Sequence, residues 1–242
     1  MIEFQNVSKE YEDGTVALHD FSLVCDSHKT TVLVGTSGSG KTTALRMVNR
    51  MVDPTSGRVL WDDVDVATMD PVKLRRSIGY VIQEGGLFPH WTVAENIATV
   101  LRLEGKGKEE ARATALELMD LTGLPREAAD RYPAQLSGGQ RQRVGVARAL
   151  ANKPLVLLMD EPFGALDPLV RRDLQDQMIR IRDEFGVTIL LVTHDMNEAM
   201  RLGQKIVVMQ NGGHIVQEGT PEELLEQPAT SFVSDLIEAG RF

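Results

Sequence analysis

Residues 35–42 read Gly-Thr-Ser-Gly-Ser-Gly-Lys-Thr and follow directly on the apolar run Thr31–Gly35. This is the G-x-x-x-x-G-K-[ST] pattern, whose meaning depends on a strand before it and a helix after it. Both are expected here. The run TVLVG is short and rich in β-branched residues, as a strand covered on both faces would be, and Lys41–Val52 has helical apolar spacing. Glycines let successive backbone N–H groups turn inward around phosphate oxygens, and the helix start adds its positive dipole end. Gly35, Thr36, Ser37, Gly38, Ser39, Gly40, Lys41, Thr42 and Thr43 are therefore the candidate phosphate-binding residues. Lys41 would reach the β- and γ-phosphates, and the Thr42 hydroxyl would ligate Mg²⁺.

Two further apolar runs, Leu155–Asp160 and Thr188–Thr193, read as buried strands, with helices predicted over Gly138–Ala151 and Leu169–Phe185. Alternating strand and helix order implies a mostly parallel α/β sheet. The opening segment differs: Ile2–Val7 alternates, and Val59–Val66 reads as a hairpin with Asp62 and Asp63 at its turn. From about Gly85 to Asn152 there is almost no strand signal, and Lys108–Leu121 puts Ala111, Ala115, Leu118 and Met119 on one helical face. The expected organisation is an α/β phosphate-loop core with an N-terminal β subdomain, residues 1–84 and 153–242, interrupted by a helical subdomain at 85–152.

The strand at 155–160 ends in Asp160-Glu161. An acid at a strand end beside a phosphate loop can hold Mg²⁺ through water, the role expected of Asp160. Glu161 is placed to accept a proton from water attacking a γ-phosphate.

Charge and composition exclude several alternatives. With 26 Lys and Arg against 35 Asp and Glu, the net charge is −9. There is no basic tract, so neither nucleic acid nor an anionic lipid surface is an expected partner. No apolar stretch approaches the length of a membrane span. The segment MIEFQNVSKEYEDG has acids and no apolar h-region, unlike a secretory signal. The single cysteine, Cys25, reads as a small buried hydrophobe and fits a reducing compartment. His19, His28, His90 and His214 show no metal-ligand spacing, and no N-K-x-D guanine-reading motif occurs.

Leu136-Ser137-Gly138-Gly139-Gln140 opens a predicted helix between the phosphate loop and Asp160. This LSGGQ pentapeptide resembles the signature of ATP-binding-cassette (ABC) ATPases, α/β proteins with a RecA-like core, a β subdomain and a helical insert. The family's other elements occur in order along essentially the whole chain. Tyr11 stands where an aromatic stacks on adenine, and Gln83 ends the strand Ile78–Ile82 as the Q-loop glutamine does. Ala165-Leu166-Asp167 looks like the D-loop, and His194 follows Thr188–Thr193 as the switch histidine does. The resemblance implies ATP and Mg²⁺, and a head-to-tail homodimer formed with ATP. In such a dimer Ser137, Gly138, Gly139 and Gln140 of one copy complete the other's γ-phosphate site. Gln83 would touch Mg²⁺ and the attacking water, and His194 would stabilise the γ-phosphate and orient that water. Asp167 would orient the opposite site, with capping of the helix after Pro168 as an open alternative. Arg141, Arg143 and Arg148 are expected to include salt-bridge partners rather than ligand contacts.

Met47–Gly57 and the segment from Gln83 to Asn96 are closely similar to the ATPase subunits of bacterial importers for quaternary-ammonium osmoprotectants such as glycine betaine, choline, carnitine and proline betaine. That likeness implies integral-membrane permease subunits, and an extracytoplasmic solute-binding protein engaged indirectly. It places the chain peripherally on the cytoplasmic face of the plasma membrane. Solute choice would belong to those partners. Leu87, Phe88 and Trp91 are large apolar groups among turn residues. Two readings stay open for them: a permease docking surface, or packing of the insert's own core. Many of these ATPases continue into a pair of CBS domains that sense ionic strength; this sequence ends at Phe242.

Overall fold

In chain order the computed structural model, which describes residues 1–83, 86–164 and 166–240, runs β1 (Ile2–Glu10), β2 (Val16–Cys25), β3 (Thr30–Gly35), α1 (Lys41–Val48), β4 (Ser56–Trp61), β5 (Val64–Asp65), α2 (Pro71–Ser77) and β6 (Ile78–Val81). It continues through α3 (Val93–Ile97), α4 (Thr99–Leu103), α5 (Lys108–Leu121), α6 (Gly138–Leu150), β7 (Val156–Asp160) and α7 (Pro168–Phe185). Last come β8 (Thr188–Thr193), α8 (Met196–Leu202), β9 (Lys205–Gln210), β10 (His214–Gly219), α9 (Pro221–Glu226) and α10 (Ser231–Ala239). Glu84, Gly85 and Ala165, which belong to segments singled out above, lie outside the described residues. The chain divides into two compact units, Met1–Arg75 with Gly186–Phe242, and Arg76–Phe185. Among the described residues no helix is long and apolar enough to cross a membrane.

The first unit holds an antiparallel sheet in the order β2-β1-β4-β5. The alternation expected from Ile2 onward is present but changes phase. Ile2 and Phe4 are buried, then Val7, because a register shift with Asn6 at φ 48° inserts a residue into β1. Asp62 and Asp63, both at positive φ, form the two-residue turn of the β4–β5 hairpin, whose twist suits right-handed strands. Beside this sheet stand β10-β9-β3-β8, with β3 parallel to both β8 and β9 and β10 antiparallel to β9. Every residue of β3 and β8 is buried, which explains their unalternating sequences.

α1 ends four residues earlier than its apolar spacing predicts. Arg50 takes φ 55°, its N–H and those of Met51 and Val52 turn back to carbonyls of Met47 and Arg46, and Asn49 Oδ1 accepts the Met51 N–H at 3.2 Å. These bonds satisfy the helix's last carbonyls, so the following apolar residues leave the helical path.

In the second unit β6 and β7 pair in parallel. Its helical part closes on a core that includes Val93, Ile97, Leu101, Ala111, Ala115, Met119, Val144 and Ala147, with Leu87 and Leu118 packed against it. The face of α5 anticipated from its periodicity is the buried one.

Candidate functional site

The parallel pairing of β3 with β8 sets Val34 opposite Thr193. The loop from Gly35 and the turn bearing His194 therefore leave from the same carboxyl edge, the edge where open α/β sheets take ligands. Thr36, Ser37 and Gly38 are exposed, while Ser39 and Lys41 are buried. Lys41 Nζ donates to Gly35 O at 2.9 Å, Thr36 O at 2.7 Å and Ser39 Oγ at 3.1 Å, so a buried ammonium is held by the loop's own oxygens. Gly40, at φ 87°, immediately precedes α1; a Cβ there would lie 2.3 Å from Ala17 O, which only glycine avoids. At Gly38, by contrast, a Cβ would meet only Asn211 Oδ1, at 3.9 Å. The loop thus combines an open rim, a helix start and a fixed cation, a donor set that fits a chain of phosphates.

Tyr11 is placed beside this loop: its hydroxyl lies 3.3 Å from Thr43 Oγ1, and the Lys9 ammonium sits 5.3 Å from its ring centroid. The ring remains 39% exposed, so an aromatic face is available near the first turn of α1. His194 is exposed on a turn clamped by its neighbours. Thr193 Oγ1 donates to the buried Glu198 at 2.6 Å and accepts the Asp195 N–H at 3.0 Å, while Asp195 caps α8.

In the second unit Val81 of β6 pairs with Met159 of β7, so Gln83 and Asp160-Glu161 emerge at one strand edge. Asp160 is buried to 9% exposure at the strand end. Glu161 takes φ 46°, a left-handed conformation that costs a residue with a Cβ of order 1–3 kcal/mol and is characteristic of functional turns. A Cβ on Gly164 would lie 3.9 Å from both Gln83 Nε2 and Glu161 O, which brings the Gln83 amide to the loop after β7.

The LSGGQ segment forms a reciprocal cap on α6. Ser137 Oγ accepts the Gln140 N–H at 3.2 Å, and Gln140 Oε1 accepts the Ser137 N–H at 3.0 Å. Asp167 Oδ1 accepts the Val170 N–H at 3.1 Å, so the capping role left open for it is present. Of the three arginines on α6, Arg143 pairs with Asp173, while Arg141 donates to Leu136 O and Arg148 to Gly86 O, both at 2.8 Å.

Of the two readings of the apolar cluster, packing of the insert's own core is present for Leu87 alone. Leu87 packs on the helical core, whereas Phe88 and Trp91 are exposed, their rings 4.6 Å apart. The residue that shapes this knuckle, Asn96, was not singled out from sequence. Its fully buried amide accepts the Phe88 N–H at 2.8 Å and donates to Phe88 O at 3.1 Å, Trp91 O at 3.1 Å and Thr92 O at 3.0 Å. Its only local signal is position, one residue past the Thr92/Glu95 capping box.

A phosphate loop between strand and helix, paired acids at a strand end and a capped Ser-Gly-Gly helix start together define a nucleotide-binding cassette. The family model described as ABC transporter matches residues 18–164, and the chain belongs to that family. It is 49% identical over 241 residues to the carnitine transport ATP-binding protein OpuCA of Listeria monocytogenes serotype 1/2a (strain 10403S), covering 100% of this chain and 60% of that protein. It is 50% identical over 233 residues to the glycine betaine uptake system ATP-binding protein YehX of Escherichia coli (strain K12), covering 96% of this chain and 75% of that one. The chain thus spans about three-fifths of the length of the Listeria relative. Among solved structures it is similar to the dimeric post-hydrolysis state of the ATP-binding cassette MJ0796 bound to ADP and Pi. The TM-score is 0.84 at 35% identity, over 91% of this chain and 99% of that one.

Proposed function

We propose that this chain is the ATP-hydrolysing subunit of a bacterial ABC importer for quaternary-ammonium osmoprotectants, working as an ATP-dependent head-to-tail homodimer beneath integral-membrane permease subunits on the cytoplasmic face. The observation that carries the nucleotide part is the phosphate loop, with its open rim at Thr36–Gly38 and the buried Lys41 ammonium at its base. The solute class is supported by kinship with proteins named for carnitine and glycine betaine. Delivery of solute would fall to an extracytoplasmic binding protein that this chain never touches.

In this reading residues 1–84 and 153–242 form the catalytic core, and 85–152 carry the signature. Backbone N–H groups of residues 35–43 grip the phosphates, Lys41 exchanges its loop oxygens for β- and γ-phosphate oxygens, and Tyr11 stacks on adenine. Mg²⁺ would be held by Thr42, Gln83 and, through water, Asp160, and when bound it offsets charge building on the phosphates. Glu161 takes the proton of the attacking water, with Gln83 and His194 orienting that water and His194 also donating toward the γ-phosphate. Ser137–Gln140 and Asp167 face the nucleotide of the second copy, so ATP binding closes the dimer and hydrolysis opens it. The exposed Phe88–Trp91 knuckle docks the permease.

The deciding experiment is light scattering of purified Glu161→Gln protein with ATP, with and without Mg²⁺. The expected result is a shift from 26.7 kDa to twice that mass on adding ATP. A mass unchanged by ATP, with and without permease, overturns the dimer mechanism.

A further inference from the structure

We propose that Val170 is a positioning residue for the Ser137–Gly139 turn, and that a joint between the starts of α6 and α7 presents that turn and Asp167 as one piece. A Cβ built on Gly139 would lie 2.6 Å from Val170 Cγ1, with Val170 Cβ and Cγ2 next, at 3.6 and 3.7 Å. All three nearest atoms belong to one side chain. Gly139 therefore lacks a side chain because Val170 occupies its place. Valine suits the task, since its branched Cβ leaves essentially one rotamer in a helix and so a stiff surface. The same residue's backbone N–H bonds Asp167 Oδ1 at 3.1 Å, which ties the valine that braces the signature to the Asp167 turn. A second contact crosses between the helices farther along them. Arg143 of α6 pairs with Asp173 of α7 and also donates to Thr122 O at 2.7 Å, its side chain only 12% exposed. Two separate contacts fix both the spacing and the rotation of α6 against α7, which one contact cannot do.

This inference rests on the reading above, in which Ser137–Gly139 and Asp167 both face the nucleotide of the second copy. Its content is that neither can shift without the other, so the geometry of the completed site depends on a valine that touches no ligand.

The test is a double-mutant cycle in the full chain, reading ATP turnover, KM and binding of a fluorescent ATP analogue to the monomer. Gly139→Ala is expected to lower turnover at least about tenfold, as misplacing a reacting group does. Binding of the analogue, which reports the phosphate loop of a single copy, should not change. Gly139→Ala/Val170→Ala should recover turnover to within about threefold of wild type, because contacting residues couple. Val170→Ile, which keeps the branched Cβ and its single preferred helical rotamer, should turn over as wild type, while Val170→Ala alone should be slower. A double variant as slow as Gly139→Ala, or a Gly139→Ala protein with normal turnover, overturns the joint. If Gly139→Ala does not fold, equal turnover in the Val170→Ile and Val170→Ala proteins does the same. A wild-type chain that hydrolyses no ATP sinks the underlying reading and takes this one with it. A wild type that hydrolyses while the double variant stays slow sinks this one alone.

Discussion

Glu161 combines two features that general acid–base chemistry asks of a base on a fixed scaffold: a carboxylate one residue beyond a buried strand, and a backbone locked at φ 46°. Glu161→Gln keeps the side chain's shape and removes the proposed proton acceptor. ATP binding should persist, with turnover falling by about 10²–10⁴-fold; an initial-rate assay at saturating ATP checks this. Cys25 has the opposite character. Its burial pushes the thiol from the ordinary 9.0 up to about 12. Burial thus favours the neutral thiol, so the folded state gains nothing below pH 9 and loses stability as pH rises above it, by at most about 1.4 kcal/mol per pH unit. Urea midpoints at pH 8 and 10 should therefore fall more for wild type than for Cys25→Ala. At pH 8 the folded thiol should resist maleimide and react once unfolded. Lys41 and Thr42 hold set positions in the phosphate-loop pattern, and Asp160 and Glu161 close an apolar run, so the sequence alone singles them out. Asn96 and Val170 were not legible there, because what they touch is brought to them by turns and helix packing rather than by neighbours in the chain.

At the scale of elements, legibility followed burial. β3, β7 and β8 are covered on both faces, so their apolar runs announced them. β2 alternates only in pieces: Ala17 and Leu18 are buried together, then Phe21, Leu23 and Cys25, because a register shift opposite Val7 and Lys9 and a positive φ at Asp20 break the period. β10, half-buried and polar on the edge of its sheet, carries no strong signal at all. The 88–92 knuckle depends on one side chain. Asn96→Ala removes four hydrogen bonds and leaves the Phe88 N–H without its acceptor, a loss of about 1–3 kcal/mol. Denaturant unfolding should show this as a lower midpoint, and ATP turnover of the isolated chain should be unaffected. A midpoint equal to wild type would mean that the knuckle is held by other contacts.

For the whole molecule, the α/β class was readable in advance, because unalternating apolar runs alternate with helical spacing. The chain separates at 75/76 and 185/186, because β6 and β7 fall in the same compact unit as α3–α6. In the proposed dimer, Ser137→Arg would set a bulky cation where the second copy's γ-phosphate must sit. ATP turnover should fall by about 10²-fold or more, and the protein should stay at 26.7 kDa with ATP in light scattering. A Ser137→Arg protein that still doubles its mass with ATP would exclude a completion of the site in trans.

The chain has two tryptophans, Trp61 in β4 and Trp91 on the exposed knuckle. With Trp61 replaced by phenylalanine, all of this chain's tryptophan emission would come from Trp91, the ring that the proposed permease docking would cover. Docking would move that ring from water into an apolar seat and shift its emission to the blue. Under the proposed docking, the knuckle would be an intrinsic optical gauge that times engagement of this chain with a tryptophan-free partner without any attached label.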